Sequence, residues 1–238
     1  MSLRVYESAA WLDSLPHARV IRHSLMGLYT DHILPRCIDF MLSRPPILEL
    51  RARVTQGLAG KVLEVGFGSG LNLPYYPREV TRIWALDPSP SAQPLSAARQ
   101  AACNIPVHWI APEPTGDLPL ADGEVDAVLS TFTFCTIPQI ELALRELYRV
   151  LKPCGKLHFL EHGKSPDARV ARMQQLFTPL QRRVAGGCHL NRPIDDLLRD
   201  AGFCLDALQT YYMPGPKAAT HMFEGIACAC HKPRAEGA

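Results

Sequence analysis

Three glycines at alternate positions, Gly66, Gly68 and Gly70, follow the apolar run Val62-Leu63-Glu64-Val65. Glycine lets a backbone turn tightly and lets a ligand approach the main-chain amides. A pyrophosphate cradle of the G-x-G-x-x-G kind would need its third glycine at position 71, and that residue is Leu71. The spacing therefore argues against a nicotinamide or flavin dinucleotide. A second short run, Arg82-Ile83-Trp84-Ala85-Leu86, ends in Asp87. An acid at the carboxyl end of a second strand, about 20 residues beyond the glycines, is placed to accept hydrogen bonds from both hydroxyls of a ribose. Pro88 can then lie flat against the base.

Those residues need a sheet to hold them. From residue 61 onward strands and helices alternate, the pattern of a parallel, doubly wound α/β sheet. Strands are expected at 61–66, 82–87, 107–110, 125–130 and 156–161, with a helix over 71–78 cut off by Pro77 and another from about 91 to 102. A helix from Pro138 carries Ile140, Leu144, Leu147 and Leu151 on one face, and another runs from Asn191 to Ala201 with Pro193 near its start and Gly202 at its end. Two final strands, 203–212 and 221–230, have no helical pattern between them, so one must run antiparallel. Ahead of the sheet, helical periodicity over 24–43 and 47–54 predicts an N-terminal preface over residues 1–57 that acts as a lid, followed by one domain over 58–232 and a disordered tail over 233–238.

Ligands of open α/β sheets bind beyond the carboxyl ends of the strands. The candidate residues there are Gly66–Gly70, Asp87, the loop Ala111-Pro112-Glu113-Pro114-Thr115-Gly116-Asp117, Thr131–Cys135, and Glu161-His162. A helix over 165–184 carries Val170, Met173, Leu176, Phe177, Leu180 and Val184 on one stripe with Arg169, Arg172, Arg182 and Arg183 elsewhere. Packing of that stripe on the sheet is expected; a wall of an apolar acceptor pocket, with a basic face toward a membrane surface, is the alternative.

Composition narrows the rest. A net charge of +2 speaks against a dedicated nucleic-acid binder, and 47% hydrophobic residues suffice for a packed core. No apolar stretch approaches the roughly 18 residues of a membrane span, and no signal sequence opens the chain, so a soluble cytoplasmic protein is expected. The eight cysteines are then expected as free, buried thiols. Cys228, Cys230 and His231 with Cys188-His189 make a metal set on paper, but the first two alternate within a strand pattern and no metal is expected.

The pattern Glu64-x-Gly66-x-Gly68-x-Gly70 followed by Asp87 resembles motif I of the class I methyltransferases that use S-adenosylmethionine. The resemblance implies a Rossmann-like sheet of seven strands in the order 3-2-1-4-5-7-6. It implies the same cofactor, leaving as S-adenosylhomocysteine, with Glu64, Gly66, Phe67, Gly68, Gly70, Asn72, Asp87 and Pro88 around it. Thr131 and Phe132 would flank the methionine end and Tyr29 would lie over the cofactor. Relatives place an acid on the adenine amino group after strand three; Glu113 is nearest, with Thr115 or backbone groups as alternatives. The Asn/Asp-Pro-Pro-Tyr tetrapeptide of enzymes methylating exocyclic or amide nitrogens is absent at Thr131-Phe132-Thr133-Phe134.

Read together, Phe159-Leu160-Glu161-His162-Gly163, Ala185-Gly186-Gly187-Cys188-His189 and Tyr212-Met213-Pro214-Gly215-Pro216 resemble a branch of small bacterial methyltransferases related to animal enzymes that methylate alkyl thiols, and more distantly to quinone and phospholipid methyltransferases. A small lipophilic acceptor follows, thiol sulfur first; oxygen or nitrogen of an aromatic metabolite, a quinone carbon or a lipid amine come next. A cofactor-binding protein without transferase activity is the reading from another class. Displacement at a sulfonium methyl needs chiefly alignment, and a thiol of pKa about 8.5 needs no dedicated base. Should a base act, His162 at the tip of strand five comes first and His189 second.

Overall fold

A computed structural model of the chain describes residues 29–113 and 116–229. Residues 1–28 of the 1–57 preface, Thr115, Cys230, His231 and the 233–238 tail lie outside these residues, and at Thr30 and Asp31 only the backbone is described. Seven strands form one sheet: β1 Gly60–Val65, β2 Val80–Leu86, β3 Val107–Ile110, β4 Val125–Thr131, β5 Leu151–His162, β6 Phe203–Tyr212 and β7 His221–Ala229. Their order is β3-β2-β1-β4-β5-β7-β6. All neighbours pair parallel except β7, which is antiparallel to both β5 and β6. Strand order and the one reversed strand both follow the expectation.

The helices are α1 Leu34–Leu42, α2 Pro45–Val54, α3 Ala92–Ala101, α4 Ile140–Val150, α5 Ala168–Val184, α6 Ile194–Asp200 and the short α7 Lys217–Thr220. Successive side chains of a strand point to opposite faces. Accordingly Leu63 and Val65 of β1 join a core with Ile140, Leu144 and Leu147 of α4 and Leu198 of α6, while Val62 joins a second core with Leu50 and Val54 of α2. A strand buried on both faces is mostly apolar, which is why β1 and β4 read as near-continuous hydrophobic runs, with buried Glu64, Ser130 and Thr131 toward their carboxyl ends.

Four features differ from the sequence expectations. The helix expected over 71–78 is a single 3₁₀ turn, Leu73–Tyr75, because Pro74 and Pro77 each remove a helical donor. Helix α4 stops at Val150, and Leu151, with extended backbone ahead of Lys152-Pro153, opens β5 instead. Of the described cysteines, only Cys135 and Cys188 are free and buried; Cys37 and Cys154 are exposed, and Cys204 is disulfide-bonded.

The fourth difference is the largest. Helix α5 buries Val170, Gln174 and Thr178, while Met173, Leu176, Phe177, Leu180 and Val184 face outward, Leu176 at 75% exposure. Its inner face is polar but satisfied. The Gln174 side chain accepts from the Ser165 amide at 2.8 Å and donates to the Gly163 carbonyl at 2.9 Å, and the Thr178 hydroxyl donates to Gln174 O at 2.7 Å. A buried amide with its hydrogen bonds made is tolerated where an unpaired one would cost about 1–3 kcal/mol.

Candidate active site

A cleft of about 280 Å³ opens beyond the carboxyl ends of β1, β2 and β4. Its floor is the turn leaving β1. Gly66, Gly68 and Gly70 have φ of +72°, +54° and +74°, a conformation that costs other residues about 1–2 kcal/mol. At Gly66 a Cβ would fall inside the Thr133 side chain, whereas at Gly68 it would meet nothing closer than 3.9 Å. The first glycine is required by packing and the second leaves space toward the cleft.

Asp87 joins this turn to the next strand. Its Oδ2 accepts the Gly68 amide hydrogen at 2.7 Å and its Oδ1 accepts that of Ser89 at 2.8 Å. Burial pushes the carboxyl above its ordinary range, and the two backbone donors oppose the shift. Each carboxylate oxygen retains a lone pair for a further donor.

A buried polar cluster lies beneath. Glu64, 1% exposed, accepts from Asn72 Nδ2 at 2.8 Å and from the Tyr76 hydroxyl at 2.6 Å. Desolvation raises its pKa to about 7 against these two donors. Arg51 of α2, 3% exposed, donates from Nη1 to Asn72 Oδ1 at 2.8 Å and to Thr131 Oγ1 at 2.9 Å, while its buried Nε has no partner. Its guanidinium stands 5.5 Å from the ring centre of Phe132. Phe132 itself has φ +56°, a rare state for a bulky residue and one that marks functional positions more often than others. Burial lowers the Arg51 pKa to about 10, so it stays cationic at neutral pH.

Helix α1 forms the roof. Leu34, Pro35, Ile38, Asp39 and Leu42 line the cleft from above. Asp39 accepts from Ser69 Oγ at 2.5 Å and pairs with Arg99 of α3 at 3.0 Å. The Tyr29 hydroxyl donates to Val184 O at 2.6 Å, which ties the start of the roof to the end of α5. Helix α2, by contrast, is fastened to the sheet: Arg53 forms two 2.5 Å bonds to Glu224 of β7, and Tyr211 of β6 donates to the same carboxylate.

Of the residues singled out in the sequence, Gly66, Phe67, Gly68, Asp87, Pro88, Thr131 and Phe132 line the cleft together. Glu64, Gly70 and Asn72 lie one layer behind its wall, Tyr29 sits at the roof's edge, and Glu113 is exposed outside it. Neither histidine lines it. His162 Nε2 lies 2.9 Å from Cys188 Sγ, and His189 Nδ1 lies 3.0 Å from the Cys135 carbonyl. Cys188 is drawn below the ordinary thiol range by hydrogen bonding from Cys135 and then from His162, while the same contact pushes Cys135 up. Sequence reasoning missed Arg51 and Asp39. The Arg51-Ala52-Arg53 triplet reads as ordinary helix surface, and only the packing of α2 separates the inward arginine from the outward one.

Comparison with known proteins agrees with this geometry. The family profile described as a methyltransferase domain matches residues 63–159. The human thiol S-methyltransferase TMT1B is 35% identical over 152 residues, 62% of each chain, and human TMT1A is 31% identical over 164 residues, 66% of each. The chain thus spans about two thirds, or slightly less, of the length of these curated relatives. Among solved structures, the complex between the Haloferax volcanii Trm112 methyltransferase activator and a putative methyltransferase has a chain that aligns with a TM-score of 0.62 at 16% identity, covering 87% of this chain and 98% of that one. At that identity the likeness speaks for the fold alone. With its sheet order, its glycine turn joined to Asp87 and these relatives, the chain belongs to the class I methyltransferases, for which S-adenosylmethionine is the cofactor.

Proposed function

We propose that the protein transfers a methyl group from S-adenosylmethionine to the sulfur of a small lipophilic thiol. One observation carries the choice of sulfur. The only ionisable side chains on the cleft wall, among the described residues, are Asp39, Arg51 and Asp87, and each is already engaged in hydrogen bonds or an ion pair. No free general base stands there. An acceptor that ionises unaided near neutrality fits such a wall, and a thiol does so where a phenol or alcohol does not. The naming of the two human relatives as thiol S-methyltransferases supports the same reading.

In this reading the donor lies across the glycine turn. Asp87 accepts from the ribose hydroxyls, Pro88 flanks the adenine, and Arg51 with Thr131 meets the methionine end. Glu64, Asn72 and Gly70 hold these groups from behind. Residues 29–42 serve as part of the lid. The acceptor thiolate enters beneath Leu34, Ile38 and Phe132. Its lone pair attacks the sulfonium methyl carbon as the carbon–sulfur bond of the donor breaks, giving a thioether and S-adenosylhomocysteine. Alignment of this kind is worth roughly 7–11 kcal/mol, and no proton need be removed by the protein.

A lipophilic acceptor also suits the outward stripe of α5, whose Leu176 and Leu180 are flanked in sequence by Arg172, Arg182 and Arg183. No helix among the described residues is long and apolar enough to cross a membrane.

The test is a competition of alkyl thiols, phenols and quinones for labelled donor at equal concentration. Thioether formation is expected to dominate. Turnover of a phenol or quinone with none of any thiol would overturn the assignment to sulfur.

A further inference from the structure

Three side chains that play no part in the cleft meet behind its wall. Cys135 stands in the turn after β4, His162 ends β5, and Cys188 lies in the turn after α5. Their ligand atoms, two Sγ and Nε2, all lie within 4.8 Å of one another, and both thiols are free and buried. We propose that Cys135 Sγ, His162 Nε2 and Cys188 Sγ bind one zinc ion.

The donor set selects the metal. Two sulfurs and an imidazole nitrogen suit a soft or borderline cation and not magnesium or calcium. Zinc bonds of about 2.0–2.3 Å set neighbouring tetrahedral ligands about 3.5–3.8 Å apart. Atoms within 4.8 Å of one another, with 2.9 Å from Nε2 to Cys188 Sγ, close to that spacing with shifts of about an ångström. Three protein ligands leave the fourth position to water or another exogenous donor.

The surroundings are built for such an ion. The two cysteine turns are already tied, since the His189 amide donates to the Cys135 carbonyl at 2.9 Å. Gly186 and Gly187, at φ +59° and +87°, let the second turn fold back onto the first. Glu161 precedes His162 and is fully buried, with Oε2 lacking any hydrogen-bond partner. Its Oε1 accepts from Ser130 Oγ at 2.7 Å and from the Thr133 amide at 3.0 Å, which ties the end of β5 to the turn that carries Cys135. Arg192 donates to the carbonyls of Phe134 and Ile137 in the same turn. Thr133 and Thr136 on either side of Cys135, with Ala185 and Gly186 before Cys188, line the cleft. The ion therefore ties the end of β5 to two segments that form one wall of the active site. The site does not depend on which acceptor is methylated.

Metal content decides it. Protein purified without chelator is expected to carry one zinc per chain by elemental analysis, and Cys135→Ser or Cys188→Ser is expected to reduce this to background. Cys37→Ser and Cys154→Ser, at the exposed thiols, are expected to leave it unchanged. Because a cysteine variant can fail to fold, the unaltered chain is also loaded with Co(II). A thiolate-to-cobalt charge-transfer band that zinc displaces supports the site. The proposal is overturned by absence of both zinc and the cobalt band in folded protein that still binds S-adenosylhomocysteine, or by a Cys135–Cys188 disulfide in the isolated protein.

Discussion

The Asp87 carboxylate accepts the amide hydrogen of Gly68 at 2.7 Å, so the two halves of the cofactor motif are bonded to each other across two strands. Asp87 thus shapes the glycine turn and, on the proposed function, is also the acid that reads the ribose. Replacing it with Ala is expected to weaken S-adenosylhomocysteine binding by about 1.5–3 kcal/mol, the range for hydrogen bonds to a charged acceptor. Isothermal titration measures this. An unchanged dissociation constant would take Asp87 out of the site.

The glycines separate by mechanism. Gly66→Ala places a methyl inside the Thr133 side chain and should destabilise the fold by about 1–3 kcal/mol, the range for overpacking. Gly68→Ala meets open space, so its cost to the fold is only the backbone's, about 1–2 kcal/mol. It should nonetheless weaken cofactor binding, because the added methyl stands where the donor passes. Thermal unfolding with and without cofactor distinguishes the two, and equal losses in both assays for both variants would contradict the argument.

On the proposed function, Arg51 meets one end of the donor only. Changing Arg51 to Met should weaken S-adenosylhomocysteine by about 1.5–3 kcal/mol while leaving adenosine binding within a factor of about two. Parallel loss of both ligands would indicate that the variant had deformed the whole cleft.

Glu64 sets a pH dependence. Its pKa of about 7 in the folded chain lies above the ordinary 4.5, so the folded state holds this proton more tightly than the unfolded state does. The contribution to stability is fully present below pH 4.5 and is lost as pH rises through 7. The linkage amounts to about 3 kcal/mol for the cofactor-free protein. Denaturant unfolding at pH 5 and pH 8 should show the fall, and Glu64→Gln, which cannot ionise, should lack that share of it. Identical slopes for the two proteins would mean that Glu64 does not titrate in this range.

Much of this arrangement was legible in the residue order. Near-continuous apolar runs at β1 and β4 announce strands buried on both faces, and the missing helix between β6 and β7 announces the reversed strand. The glycine spacing excludes a pyrophosphate ligand without any coordinates. What stayed hidden depended on which face a helix turns inward. The stripe of α5 has helical periodicity, yet Gln174 and Thr178 take the inside because Gly163 O and Ser165 N need partners there. Arg51 and Arg53 are two residues apart and alike in type, yet one lies beneath the cleft and the other bonds β7. Cys135, His162 and Cys188 are far apart in the chain, and only the crossing of three loops brings them together.

The roof sets a tempo. On the proposed function, donor and spent product exchange past α1, whose Asp39 grips both Ser69 and Arg99 and whose approach is held by Tyr29 on Val184. Those contacts must part and re-form in every cycle, and such lid motions limit turnover in many enzymes. The steady-state rate is expected to fall as solvent viscosity rises, whereas a single turnover of preloaded donor should be indifferent to it. Asp39→Asn should loosen the grip, quickening release while shortening the time a donor stays bound. How long the roof stays shut, more than how fast the methyl moves, then decides how many acceptors each chain serves.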